Sequence, residues 1–281
     1  MGDNDLIAIV TDSTSDIPPE IAKQFDISVV PAILVVDGRP FEDGVTLSRE
    51  DFYRLLPSMQ SPPTTAAPAS GTIQEVYRSR FDRGAIHVVS LHVAASLSGI
   101  YTAARVAAEP FQDRVTVIDS GQLSLGLGFQ VIAAAEAAAA GGTLEEVLAV
   151  IEQTRRRVQV VAMLDTLEYL RRGGRVSLLK AGIGAVLRMR FFVELHEGKV
   201  NLLEQVRTRA KAIGRMWELI VSLGKVERFA ILHANAEEDA NRLLQQLIPD
   251  LPIGALLVNV NTVIGMHVGP GALGFAAVLR K

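Results

Sequence analysis

Apolar residues in the first half of the chain come in two spacings, short unbroken runs and longer stretches with one apolar face. That alternation predicts strands buried on both sides interleaved with helices, the pattern of an α/β sheet. Leu6-Ile7-Ala8-Ile9-Val10 is apolar throughout, as a central parallel strand requires. Pro18-Pro19-Glu20 then opens a helix at positions where proline is tolerated. Ile27 to Val36 supplies one or two more strands, ended by an Asp37-Gly38 turn. Ser48-Arg49-Glu50-Asp51 resembles a capping box and starts a short helix. Strands at His87–Leu91 and Val115–Asp119 follow, and then an alanine-rich buried helix from Leu123 to Ala140, closed by Gly141-Gly142. Thr143-Leu144-Glu145-Glu146 is a second capping box, opening a helix to about Arg157.

Beyond that point the pattern changes. Val158 to Leu164 reads as a strand, Asp165 to Arg172 as a short helix ended by Gly173-Gly174, and Phe192 to Leu202 as a hairpin turning at Glu197-Gly198. An amphipathic helix from Thr208 to Leu223, strand Phe229–Ala234, helix Glu237–Leu247, strand Leu256–Asn261 and a last strand from Ala272 complete the chain. The expected organisation is two α/β domains, 1–158 with a parallel sheet and 159–281 with a mixed sheet.

Composition narrows the function classes. With 281 residues, 49% of them hydrophobic, the chain has ample material for a large core. A formal net charge of −3 gives no basic face for nucleic acid. The absence of cysteine excludes disulfides, thiolate metal sites and cysteine nucleophiles, and fits a reducing compartment. No run approaches the ~18 apolar residues of a membrane helix, and Met1-Gly2-Asp3-Asn4-Asp5 lacks the character of a signal peptide. The expected location is the cytoplasm.

Ala94-Ala95-Ser96-Leu97-Ser98-Gly99-Ile100-Tyr101 carries the strongest chemical signal, two hydroxyls and a glycine between a strand and a helix. Backbone N–H groups and hydroxyls at such a junction suit an anionic head group, with helix capping as the alternative reading. A serine nucleophile is a third reading, with His267 and Asp119 as candidate partners, but the elbow G-x-S-x-G is missing. Pro62-Pro63-Thr64-Thr65-Ala66-Ala67-Pro68-Ala69-Ser70-Gly71 is a stiff loop that offers a ligand little except hydroxyls, or else a linker. In Thr11-Asp12-Ser13-Thr14-Ser15-Asp16, Asp12 and Ser13 are expected to hold the loop, and Ser15 or Asp16 to cap the next helix. This loop makes a poor metal site, because Ile17 stands where a calcium loop needs glycine. Arg175, between a Gly-Gly turn and an apolar segment, is the arginine placed to meet an anion. His267 is expected in a constrained loop beside Gly269-Pro270-Gly271, as a structural or a functional residue. Neither a Walker loop nor a G-x-G-x-x-G is present, which counts against a stand-alone nucleotide-binding phosphotransferase.

In this order, Val10 through Asp16, Pro63-Thr64-Thr65, Leu97-Ser98-Gly99-Ile100-Tyr101, Val117-Ile118-Asp119-Ser120, Leu167 through Ser177 and His267 through Gly271 resemble the DegV family, which includes the FakB fatty-acid-binding proteins. The resemblance covers essentially the whole chain. It implies a two-domain α/β carrier, not itself a catalyst, that encloses a long-chain fatty acid and presents the carboxylate to a FakA-like kinase for acyl phosphate formation. It implies no cofactor beyond the lipid ligand. By position Thr65 and Ser98 resemble the carboxylate-holding hydroxyls, with Thr64, Ser96, Gly99 and His267 around them. Arg175 and His267 resemble the residues associated with phosphoryl transfer, and Arg207 or Arg209 the kinase-facing segment. The chain departs from the family pattern at Ala66-Ala67, at Ala94-Ala95-Ser96 and at Arg190-Phe191, and the first two departures remove polar groups near the head. A serine-dependent esterase acting on a lipid-like substrate is the alternative function.

A sixteen-carbon tail buried at ~0.8 kcal/mol per methylene contributes on the order of 10 kcal/mol before ordering costs. Candidates for the tail wall are Phe191, Phe192, Met163, Leu164 and Ile183. Neutral hydroxyls suit a carrier, since an arginine clamp would stabilise the ground state against transfer.

Overall fold

The computed structural model describes residues 6–59, 61–178, 189–247 and 251–280, with the side chain of Leu178 excepted. The chain opens with β1 (Ile7–Asp12), α1 (Pro19–Gln24) and β2 (Ser28–Val30). A small antiparallel insert follows, β3 (Ile33–Val36) and β4 (Arg39–Glu42), then α2 (Arg49–Leu55) and β5 (Thr64–Ala66). Next come α3 (Ser70–Asp82), β6 (His87–His92), α4 (Ile100–Ala108) and β7 (Val115–Asp119), then α5 (Ser124–Ala139) and α6 (Leu144–Arg155). The second half runs β8 (Val158–Leu164), α7 (Glu168–Arg172), β9 (Arg190–His196), β10 (Lys199–Val206), α8 (Arg209–Ser222) and β11 (Val226–His233). It finishes with α9 (Glu237–Leu247), β12 (Leu256–Asn259), α10 (Thr262–Val268) and β13 (Leu273–Leu279).

The fold is α/β. A parallel four-stranded sheet in the order β2-β1-β6-β7 forms the first half. A mixed six-stranded sheet, β10-β9-β8-β13-β11-β12, forms the second, antiparallel except between β11 and β12. The caps lie where hydroxyls precede helices. Ser48 accepts from Asp51 N, Thr143 and Glu146 close a reciprocal capping box, and Thr208 accepts from Lys211 N. Asp37-Gly38 and Glu197-Gly198 each combine two positive φ angles, the geometry of a two-residue hairpin turn.

α5 joins the halves. Its residues are buried from Ser124 through Ala135, and it packs against β1 on one side and β8 and β13 on the other. A Cβ at Gly126 would lie 2.5 Å from Val160 Cγ2, and one at Gly128 2.5 Å from Ser15 O, so the absent side chains let the helix fit between the layers. One apolar cluster therefore runs through both sheets. A second, of Met216, Ile220, Leu243 and Leu247 with Met163 and Phe192, seals α8 and α9 onto the far face of the six-stranded sheet.

Candidate functional site

In the parallel sheet, strand order turns around between β1 and β6, the place where open α/β sheets leave a crevice at the carboxyl ends of their strands. β1 ends at Asp12, whose carboxylate accepts from Thr14 N at 3.0 Å and from the Thr14 hydroxyl. The same carboxylate accepts from Val93 N at 3.2 Å and lies 2.9 Å from His92 Nδ1. His92 Nε2 is 2.7 Å from Ser90 Oγ, which accepts from the Tyr77 hydroxyl at 2.9 Å. Asp12, Tyr77, Ser90 and His92 are fully buried, so this chain of bonds pins β1 to β6 and fixes Thr14 and Val93 at the crevice. As expected, Asp12 and Ser13 hold the loop, with Ser13 Oγ accepting from Ala32 N at 3.1 Å.

The crevice deepens into a cavity between the two sheets. It offers about 190 Å³ to the centre of a water-sized sphere, where ~10–15 Å³ on that measure holds one water. The first half contributes Ala32, Val93, Leu97, Ile100 and Leu123 to its wall. The second contributes Val160, Ala162 and Leu164 from β8, Val193 and Leu195 from β9, and Val200 from β10. Strand alternation selects them: Val160, Ala162 and Leu164 turn to the cavity, whereas Val161 and Met163 turn to the α8–α9 core. Of the tail-wall candidates, Leu164 lines the cavity. Met163 and Phe192 face α8 and α9 instead, Phe191 pairs with Leu164 without lining, and Ile183 lies outside the described residues.

Polar groups interrupt the apolar lining of this cavity. Thr65, Ser98, Gly99, Arg175 and His267 all line it. Pairing of β5 with β3 sets Thr65 opposite Leu34, and no hydrogen bond engages its hydroxyl among the described residues. Thr64 is exposed and does not line the cavity. Ser98 Oγ accepts from Ile100 N at 3.4 Å, and its proton has no acceptor among the described residues. Gly99 caps the nine-residue α4, whose first-turn N–H groups lack intrahelical partners and favour negative charge. Arg175 bridges the halves, donating to Gly173 O at 2.8 Å and to Leu97 O at 3.5 Å.

His267 stands on the last turn of α10, not in a loop as expected. Burial, reinforced by the Arg175 cation, pushes its pKa down to about 4, so the imidazole is neutral at pH 7. Its Nδ1 is sealed from solvent without a partner, which leaves Nε2 as the ring nitrogen able to meet a ligand.

Ser96 does not reach the cavity. It lies in an open groove beside the mouth with Thr102 and Gly174, and donates to Gly198 O at 2.5 Å, tying the β9–β10 turn to the first half. Ser98, Gly99 and Arg175 border both spaces. The two remaining arginines lie elsewhere. Arg207 is exposed with no side-chain partner among the described residues. Arg209 is engaged by Asp239 at 2.6 Å, Asp165 at 3.0 Å and Gly271 O at 2.9 Å.

Two carboxylates from the first half grip the start of α10, a linkage the sequence reading missed. Asp16, expected as a helix cap, instead accepts from Asn261 N at 2.9 Å and Asn261 Nδ2 at 3.0 Å, with Arg49 at 3.1 Å and Ser124 Oγ at 2.6 Å. Asp43 accepts from Thr262 N at 2.9 Å and its hydroxyl at 2.8 Å. Burial raises the pKa of Asp16, against the field of Arg49. Through α10 these contacts hold Val263, Ile264 and His267 against the cavity.

The elements of serine hydrolysis do not converge. Asp119 accepts from Ala95 N at 3.2 Å and Gly121 N at 2.9 Å, and bonds no histidine. The Ser90–His92–Asp12 chain has the order of a triad but no access for a substrate. Among the described residues, no group of three or more histidines and carboxylates could hold a metal, and no helix is long and apolar enough to cross a membrane.

Comparison with known proteins agrees with this fold. A family model described as "Uncharacterised protein, DegV family COG1307" matches residues 6–280. A DegV domain-containing protein of Streptomyces coelicolor is 38% identical over 278 residues, 98% of this chain and 99% of that protein. A solved structure described as fatty acid binding of a DegV family protein from Thermus thermophilus is 33% identical, covers 98% of this chain and 99% of its own, and superposes with a TM-score of 0.89. Another, described as DegV, a fatty acid binding protein from Bacillus subtilis, is 30% identical with the same coverage and a TM-score of 0.86.

Proposed function

We propose, from the premise that this chain belongs to the DegV family, that it binds one long-chain fatty acid in the cavity between its sheets, with the carboxylate at Thr65 and Ser98. One observation carries this reading: an apolar cavity lined by two hydroxyls, Thr65 on β5 and Ser98 ahead of α4, with no acceptor for either proton among the described residues. A carboxylate accepts and does not donate, so free hydroxyls, the N-terminus of α4 and His267 Nε2 match it. Residues 1–158 and 159–281 act as the two walls. The solved relatives described as fatty-acid-binding support the same ligand class. Extraction of the natively purified protein into organic solvent, read by mass spectrometry, is expected to release a fatty acid. No lipid, together with no binding of added palmitate or oleate, overturns the reading.

The finer step is presentation of that carboxylate to a FakA-like kinase. Ser98, Gly99 and Arg175 border both the cavity and the outer groove, so the bound head is approachable from outside. Arg207, exposed and unpaired, suits a partner, whereas Arg209 is committed to Asp165 and Asp239. Arg207→Ala is expected to retain lipid while slowing acyl phosphate formation with the kinase. Loss of lipid in that variant refutes the division of roles.

A further inference from the structure

Gly173 and Gly174 close α7, and they differ in why glycine is needed. Gly174 has φ +70° with open space where a side chain would go, so its glycine answers to backbone conformation. Gly173 has φ −77° and ψ 0°, a conformation any L-residue adopts. What forbids a side chain there is His267. A Cβ on Gly173 would lie 2.2 Å from His267 Nδ1, 2.6 Å from Cε1 and 3.0 Å from Met266 Cε. The imidazole therefore rests edge-on against the bare α-carbon of Gly173. The carbonyl of the same residue accepts from Arg175 Nη1 at 2.8 Å, so one residue seats both the ring and the guanidinium.

We infer that Gly173 is a positioning residue for the head-group end of the cavity, fixing where His267 stands relative to Arg175. The opposite end of α10 leaves the helix little freedom to retreat. Asp16 and Asp43 hold Asn261 and Thr262, a Cβ at Gly265 would lie 2.3 Å from the Tyr53 hydroxyl, and one at Gly269 would lie 2.2 Å from the Tyr169 ring. With α10 held at both ends, a methyl on Gly173 has to turn the imidazole out of its seat. Arg175 is the charged group whose field reaches that ring; Asp16, Asp43 and Arg49 face the far end of α10.

The test is Gly173→Ala against Gly174→Ala, with the His267 ring followed by NMR titration in lipid-free protein. In Gly173→Ala the ring leaves its buried seat, and its titration midpoint is expected to rise by roughly one unit or more. Gly174→Ala strains the backbone and lowers the thermal midpoint, but is expected to leave that titration where it is. An unchanged His267 midpoint in Gly173→Ala, or equal shifts in both variants, overturns the assignment. Should Gly173→Ala fail to fold, Gly173→Ala/His267→Ala supplies the measurement: trimming the imidazole is expected to restore folding, and failure to do so refutes the steric argument. These readouts use no lipid. A second arm, which rests on the fatty-acid reading, compares binding of oleate and methyl oleate. Gly173→Ala is expected to weaken the acid several-fold more than the ester. Absence of binding to either in the unmodified protein would sink the fatty-acid reading while leaving the titration result standing, and equal losses would refute the head-group role of Gly173.

Discussion

Ser98→Ala tests the carboxylate site most directly, because it removes one hydroxyl and little else. Among the described residues its Oγ makes one long bond, accepting from Ile100 N at 3.4 Å, so the free protein loses almost nothing when it goes. With lipid bound, the missing group would have donated to a charged oxygen in a largely apolar enclosure. A hydrogen bond to a charged partner is worth ~1.5–3 kcal/mol, and ~1.4 kcal/mol is tenfold in affinity, so the expected loss is about 10- to 150-fold. Thr65→Ala removes the second hydroxyl, carried by β5, and is expected to cost a similar factor. The pair acts on one carboxylate, so the double variant is expected to depart from the product of the two losses. Competition binding with oleate and methyl oleate separates this cause from general damage, since the ester cannot present an anion. Both single variants are expected to weaken oleate while sparing the ester. Equal weakening of acid and ester, or an oleate loss under about twofold, a fraction of one such bond, would refute the placement of the carboxylate at these hydroxyls.

The apolar wall makes two further predictions. Each additional pair of methylenes is expected to tighten binding by ~1.6 kcal/mol until the cavity is full, and an affinity flat from ten to sixteen carbons would contradict tail burial. Ala162→Phe, which fills the space opposite Val193, is expected to abolish retention while the protein stays folded by circular dichroism; unchanged lipid content would show that the tail lies elsewhere. Acid sensitivity follows from His267, which titrates near 4 when folded against 6.5 as a free side chain. Between those values the unfolded chain holds the extra proton, so stability is present above about pH 6.5 and falls as the pH drops towards 4, by at most on the order of 3 kcal/mol. Denaturant titrations at pH 7 and pH 4.5 measure it, and a fall of the same size in His267→Gln would assign the effect to other groups.

Much of the framework was legible because it depends on neighbours in sequence. The apolar runs Leu6 to Val10 and Val160 to Leu164, the caps at Ser48, Thr143 and Thr208, and the turns at Asp37-Gly38 and Glu197-Gly198 are all local signals. α10 escaped because it is seven residues long, carries Gly265 at its middle and runs into Gly-Pro-Gly, a composition that reads as loop. Gly265 answers to Tyr53, a residue far away in the chain, and no periodicity records that. β5 is three residues after a proline pair and exists only through its pairing with β3. Thr65, Ser98 and Arg175, which line one cavity, were singled out by the motifs around them. At β9 Phe192, a candidate for the cavity wall or for the core, belongs to the core under α8, while the smaller Val193 and Leu195 look into the cavity. Residue size does not reveal which side of a strand faces which layer.

The division of β8 between its two faces has an evolutionary consequence. Val160, Ala162 and Leu164 shape the space for cargo, while Val161 and Met163 belong to a separate hydrophobic cluster under α8 and α9. Substitutions on one side can reshape the compartment without reaching the cluster packed under α8 and α9. Alternate positions of one strand therefore separate the contour of the cavity from the packing of the outer helices.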